Sequence, residues 1–253
     1  MNPSKRIAVA GLAVLCLATA LSITYPLTAR ASYTAVPVCR GSAVAALGGP
    51  LTALPCVVSL AAPNIRQDMP LDCESAALAV ALRTKGFPVT QDWVFNQLPK
   101  DTRAAVLSGG YPVRWGDPYL AFVGNVYGSE TDFTGYGVYY GPIAAAARRA
   151  GASAQGRTGW TTEQIEDQVR SGNPVVVWTN YNFGYSATRH WRAWDGAWVP
   201  YTTREHAVTV VGVNLLAGTV TVVDVWQGSR RTLSEPAFTQ AIATFGGMAV
   251  AVS

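Results

Sequence analysis

Histidine and charge are what this chain has least of: two histidines in 253 residues, and 13 % charged side chains. His190 and His206 stand far apart, and no Cys-x-x-Cys pair accompanies them, so no zinc site or other metal centre is implied. No block of like charge occurs. The formal net charge of +4 falls to about +1 if Lys5, Arg6 and Arg30 are removed with a leader, which gives no support to a nucleic-acid or anionic-membrane partner. Glycine pairs such as Gly109-Gly110 lack the strand–loop–helix setting of a phosphate cradle, so no nucleotide or other cofactor is expected. Past the first thirty-odd residues no apolar run is long enough to span a bilayer. There is no internal repeat and no recognisable wall-binding repeat.

What is present begins with a leader. Lys5 and Arg6 precede an uncharged, largely apolar stretch from Ile7 to Ile23, followed by Pro26 and by Ala29-Arg30-Ala31. This is the layout of a secretory signal peptide over residues 1–31, cleaved before Ser32; an uncleaved membrane anchor is the alternative. Leu15 before Cys16 does not fit a lipobox. The expectation is a secreted or cell-surface protein. The full sequence is 49 % hydrophobic, and the roughly 220 residues after the leader suit one domain with a real core. Residues 32–61 form a lead-in poor in charge, and 62–253 the main domain.

Cys16 leaves with the leader, so Cys39, Cys56 and Cys73 remain. In an oxidising compartment an odd cysteine is reactive or paired between chains. Cys39 and Cys56 flank a segment of small residues and would close a short loop worth about 3 kcal/mol. Cys73 is then the leftover thiol, either reactive or a small buried hydrophobe.

Asp72 is placed to cap a helix from Cys73 to about Lys85, stopped by Gly86 and Pro88. Thr90–Leu98 reads as a second helix, Ser108–Tyr140 as a long irregular loop, and Pro142 as the first residue of a third helix, with Gly151 just beyond its end at Ala150. Thr161 or Thr162 caps a fourth. Pro174–Trp178 is a buried strand, and His190–Tyr201 is a hairpin around Asp195-Gly196. Ala207–Val213 and Thr219–Val225 are paired strands, Ser234-Glu235-Pro236 opens a last helix, and Met248–Val252 completes the sheet. Helices first and a mostly antiparallel sheet later make an α+β fold.

These elements bring chemistry into order along the chain. Cys73 would stand at a helix N-terminus, whose partial positive charge favours a thiolate. Asp72 and Glu74 oppose that shift and are expected to point away. His206, at the head of an apolar strand, is favoured as general base over His190, which lies in a Trp-rich hairpin. Asp224 follows on the neighbouring strand, where it can fix the tautomer of the imidazole. Gln67, six residues before Cys73, can supply an oxyanion donor beside the Cys73 backbone N–H. Trp191, Trp194 and Trp198 with Tyr181, Tyr185 and Tyr201 either line a groove or pack the core; His190, Trp191, Trp194 and Trp226 are candidate substrate contacts.

The stretch Gln67-Asp68-Met69-Pro70-Leu71-Asp72-Cys73-Glu74-Ser75-Ala76-Ala77-Leu78 resembles the nucleophile motif of secreted C39-like cysteine peptidases. The resemblance continues through Trp115-Gly116-Asp117-Pro118, Phe122-Val123-Gly124, Tyr136-Gly137-Val138-Tyr139 and Gly172-Asn173-Pro174-Val175. It reaches Glu205-His206-Ala207-Val208 and Val223-Asp224-Val225, so it covers about Pro63 to Ser253. It implies a papain-like fold, with Cys73 as nucleophile, His206 as base, Asp224 as its orienter and Gln67 as oxyanion donor, acting on a peptide or protein substrate. Where the family often has Asp-Pro, this chain has Asp224-Val225, which leaves the triad intact and the loop beyond it different. A cell-wall peptide amidase, an acyl transferase on the same fold, and an inactive peptide- or glycan-binding module remain the rival readings.

Overall fold

The computed structural model describes residues 38–40 and 53–253. The segment read as a signal peptide lies outside them. Near the start, β1 (Val38–Arg40) pairs with β2 (Ala53–Pro55), and the Cys39–Cys56 disulfide joins the two ends of that loop. Strand β3 (Val57–Ser59) then leads into the helical layer.

Helix α1 (Cys73–Thr84) is buried on every side, with Ala76 to Leu82 wholly inaccessible. A helix without a polar face needs cover all round, and α2 (Gln91–Gln97) supplies part of it. The helix stops where Gly86 adopts a φ of 89° and the Phe87 N–H donates to the Leu82 carbonyl, an ending that a Cβ would strain. The Thr90 side chain caps α2 by accepting from the Trp93 N–H.

The stretch expected to be one irregular loop is more ordered than that. After β4 (Lys100–Asp101) and β5 (Val106–Ser108) come β6 (Tyr111–Trp115) and β7 (Phe122–Val123). Strand β4 pairs with β7, and β6 pairs with a strand some eighty residues later, a partnership that local sequence does not encode. Helix α3 (Tyr140–Arg149) starts two residues before Pro142, which still falls in the first turn, where a missing N–H leaves no bond broken. Strand β8 (Ala154–Arg157) and helix α4 (Thr162–Arg170) follow, the latter opened by a capping box between Thr161 and Gln164.

The sheet then forms from β9 (Val175–Asn180), β12 (Glu205–Asn214), β13 (Thr219–Asp224), β14 (Ser229–Ser234) and β15 (Ala249–Val252). The hairpin β10 (Arg189–Ala193) and β11 (Trp198–Tyr201) intervenes, and α5 (Glu235–Ala243) precedes the last strand. The order β14-β13-β12-β9-β15-β8 is antiparallel throughout, with β3 joined to the far end of β12. This is the α+β arrangement expected. A second sheet, β11-β10-β6-β5, carries the aromatic cluster. Trp115, Tyr136, Trp191 and Tyr201 meet there edge to face or tilted, and the Trp191 Nε1–H donates to the Gly116 carbonyl. Among the described residues, no helix is long and apolar enough to cross a membrane.

Two contacts bring the layers together at the head of β12. The Thr209 hydroxyl donates to the Ala77 carbonyl at 2.7 Å, seating α1 on the strand. The Gln67 N–H donates to the Val225 carbonyl at 2.8 Å, drawing the segment before α1 to the end of β13.

Candidate active site

Because β12 and β13 are antiparallel neighbours, with Thr209 opposite Val223, His206 and Asp224 arrive side by side. His206 Nε2 lies 2.9 Å from Asp224 Oδ1, with both residues buried. Desolvation alone would raise the Asp224 carboxyl, but the His206 bond and charge, helped by the Trp226 N–H and Arg231, hold it below its usual range. An ionised carboxylate only accepts, so the Nε2 carries the proton. Nδ1 is then the basic nitrogen, and it has no partner. The ring is stacked under Tyr181, with centroids 4.6 Å apart, and Trp226 meets Tyr181 at 5.3 Å.

Cys73 stands at the start of α1 as expected, but its thiol faces carboxyls. Sγ lies 3.5 Å from Glu74 Oε2 and 3.8 Å from Glu205 Oε2, and accepts the Ala207 N–H at 3.4 Å. Burial, followed by the charges of Glu205 and Glu74, pushes the thiol well above its usual range, with only the Ala207 N–H opposing. The expected lowering by the helix terminus is therefore overturned in this conformation. Desolvation and like charge outweigh a partial dipole charge worth about 1 kcal/mol.

The expectation that Glu74 points away is corrected as well. Its Oε1 accepts the Val138 N–H at 2.6 Å, which turns Oε2 toward the thiol. Asp72 occupies the cap position but makes no side-chain cap bond. Both its oxygens are buried without partners, and desolvation, then Glu74, raise it to about 8.

Gln67 is close in sequence but engaged. Its Nε2–H groups donate to the carbonyls of Met69 and Pro70 at 2.9 and 3.0 Å. Of the aromatic candidates, Tyr181 and Trp226 stand by the pair, beside a cavity of about 330 Å³ lined by Tyr181, Asp224, Trp226, Gln227 and Arg231. Trp191 is wholly buried in the aromatic cluster, so it is no substrate contact. Trp194 is flanked by Arg103 and Arg114, and His190 lies on the exposed side of β10 against Trp198. Both are on the second sheet rather than beside His206.

Two side chains escaped sequence reasoning: Glu130 and Glu205. Glu130 is buried, accepts the Glu205 backbone N–H, and bears on Glu74 and Cys73. A signal for Glu205 existed. A glutamate heading a strand whose next eight residues are all buried has nowhere to go but inward.

A family model, the Peptidase_C39 like family, matches residues 59–249. The uncharacterised protein YvpB of Bacillus subtilis (strain 168) is 33 % identical over 142 residues, which are 55 % of this chain and 53 % of that protein. The chain thus spans about half the length of this curated relative. The crystal structure of a candidate C39-like peptidase from Bacillus anthracis superposes with a TM-score of 0.67 at 28 % identity, covering 78 % of this chain and 97 % of that one.

Proposed function

Because the chain belongs to the Peptidase_C39 like family, we propose that it is an exported cysteine peptidase working through Cys73, His206 and Asp224. The observation that carries the reading is the buried His206–Asp224 hydrogen bond with a free Nδ1. The reading requires the Cys73 side chain to turn from Glu74 and Glu205 toward that nitrogen; its sulfur already accepts the N–H of Ala207, the residue next to His206. Nδ1 takes the proton, and the thiolate attacks the scissile carbonyl. The Cys73 N–H receives the oxyanion, joined by Gln67 once it releases a loop carbonyl. As the C–N bond breaks, the proton passes from Nδ1 to the departing amine, leaving a thioester that water hydrolyses by the same base. Trp226 and the adjoining cavity are proposed to hold substrate on the Asp224 side.

One observation favours a second reading, a silent peptide-binding site: the thiol is buried among carboxyls, and burial and their charges push its pKa up. Incubating the mature protein with a diverse peptide library separates the two. Cleavage that disappears in Cys73→Ala supports the peptidase; no cleavage by wild type, with alkylation of Cys73 indifferent to His206→Ala, overturns it.

A further inference from the structure

Among the described residues, Cys73, Glu74 and Glu205 form a group of ligand-type side chains outside the His206–Asp224 pair. Their donor atoms all lie within 4.8 Å of one another. The sulfur-to-oxygen separations of 3.5 and 3.8 Å match the edge of a tetrahedron of about 3.5 Å, built from the usual metal–sulfur and metal–oxygen lengths around zinc.

A cluster of acids and a thiol can also be held by protons alone, so a further observation matters. Glu205 Oε1 is buried without a partner, and so is Oε1 of Glu130, whose carboxyl receives the Glu205 backbone N–H. Among the described residues, the ion pairs formed by Lys or Arg include none with Glu74, Glu130 or Glu205. The outer contacts also suit a metal thiolate. The Ala207 N–H points at the sulfur, and the Val138 N–H fixes the far oxygen of Glu74 so that its other oxygen faces inward.

The geometry points to a site for one thiophilic divalent cation of the zinc class, ligated by Cys73 Sγ, Glu74 Oε2 and Glu205, with Glu130 behind them. The thiolate selects against magnesium and calcium, which take oxygen ligands. Loading exchanges the thiol proton for the metal: the S–H bond breaks, an S–metal bond forms, and the proton leaves to solvent with no change of oxidation state. The bound sulfur is withdrawn from attack, so the cation silences the enzyme. That consequence rests on the peptidase reading; the site itself does not.

Cobalt(II) titration of the full mature chain tests it without any substrate. The expected result is a one-to-one complex with a thiolate-to-cobalt charge-transfer band in the near ultraviolet and tetrahedral bands in the visible. Zinc should displace both and slow alkylation of Cys73 in the wild type. Glu74→Gln and Glu205→Gln, checked for native circular dichroism, should each weaken binding at least tenfold, and His206→Ala should keep it. Absence of the charge-transfer band in wild type overturns the site. So does a band lost in His206→Ala but kept in both glutamine variants, since that is the signature of a Cys–His pair binding metal. Peptide cleavage by metal-free enzyme is read separately, so failure of the site and failure of the peptidase reading are distinguishable.

Discussion

Replacing Asp224 separates charge from geometry at the imidazole. Two N–H groups converge on Asp224 Oδ1: His206 Nε2–H at 2.9 Å and the Trp226 N–H at 3.1 Å. Oδ2 faces Arg231 at 3.6 Å. In Asp224→Asn, only the amide oxygen can occupy the Oδ1 position, because an NH₂ there would meet two donors. The His206 tautomer should therefore survive, and only the charge is lost. A hydrogen bond to a charged group contributes about 1.5–3 kcal/mol and a neutral one about 1, so the loss is roughly 1–2 kcal/mol, or 5- to 30-fold in turnover. Asp224→Ala removes the acceptor altogether and frees the ring to take the other tautomer; a loss of about 3–5 kcal/mol is expected for leaving one partner of a buried pair, or some 10²- to 10³-fold and beyond. Turnover on the best library peptide gives the rates. The ¹⁵N signals of the ring give the tautomer, and with His190→Gln only one ring remains to observe. If Asp224→Asn fell as far as Asp224→Ala, or showed a proton on Nδ1, the two-donor argument would be refuted.

Four further outcomes are expected. Glu166 is buried with Oε1 unpartnered, and burial, then Glu235 and Glu163, raise it to about 7. Its folded-state pKa exceeds its unfolded one, so its stabilising effect is full below the ordinary glutamate range and is lost as pH rises through about 7; urea midpoints between pH 5 and 8.5 should fall less in Glu166→Gln than in wild type. The paired change Cys39→Ser and Cys56→Ser should cost about 3 kcal/mol in urea unfolding, and an unchanged midpoint would show that the bridge stabilises nothing. Gly135→Ala would drive a methyl group into the Asn125 carbonyl oxygen and Leu71. It should lose about 1–3 kcal/mol and lower turnover with it, because the Leu71 N–H is tied to Val126 just ahead of Cys73. Tyr181→Ala uncovers the His206 ring and should speed alkylation of Cys73 severalfold; no change would mean that Tyr181 does not limit access.

Much of the site could be read along the chain because its spacing is local in the fold. His206 and Asp224 sit on two consecutive strands joined by a short turn, so a period-two pattern with a turn signal suffices to bring them together. The helix starts near Thr90, Thr161 and Ser234 could be read for the same reason, although Thr90, taken as the first helical residue, is in fact the cap. What failed depended on partners distant in sequence. Glu74 turns inward because Val138 offers an N–H sixty-four residues later, and β6, which pairs with β5 in a local hairpin, takes β10 as its other neighbour from far along the chain. The surroundings of the thiol also depend on Glu205, which β12 brings to it from 132 residues away, and no helix-terminus argument contains that carboxyl.

The bridged start of the chain joins the main sheet at a telling place. Strand β3 pairs with Gly212 to Asn214, whereas His206 stands at the opposite end of the same strand β12. At about 3.3 Å per residue, the anchorage and the imidazole are roughly 20 Å apart. The Arg170 guanidinium secures that end by donating to the carbonyls of Cys39, Leu54 and Pro55. A protease that cut between Cys39 and Cys56 would leave both ends fastened by the disulfide and by Arg170. The disulfide and Arg170 thus act as a rivet at the end of β12 far from the imidazole, and a nick between the two cysteines frees neither side of it.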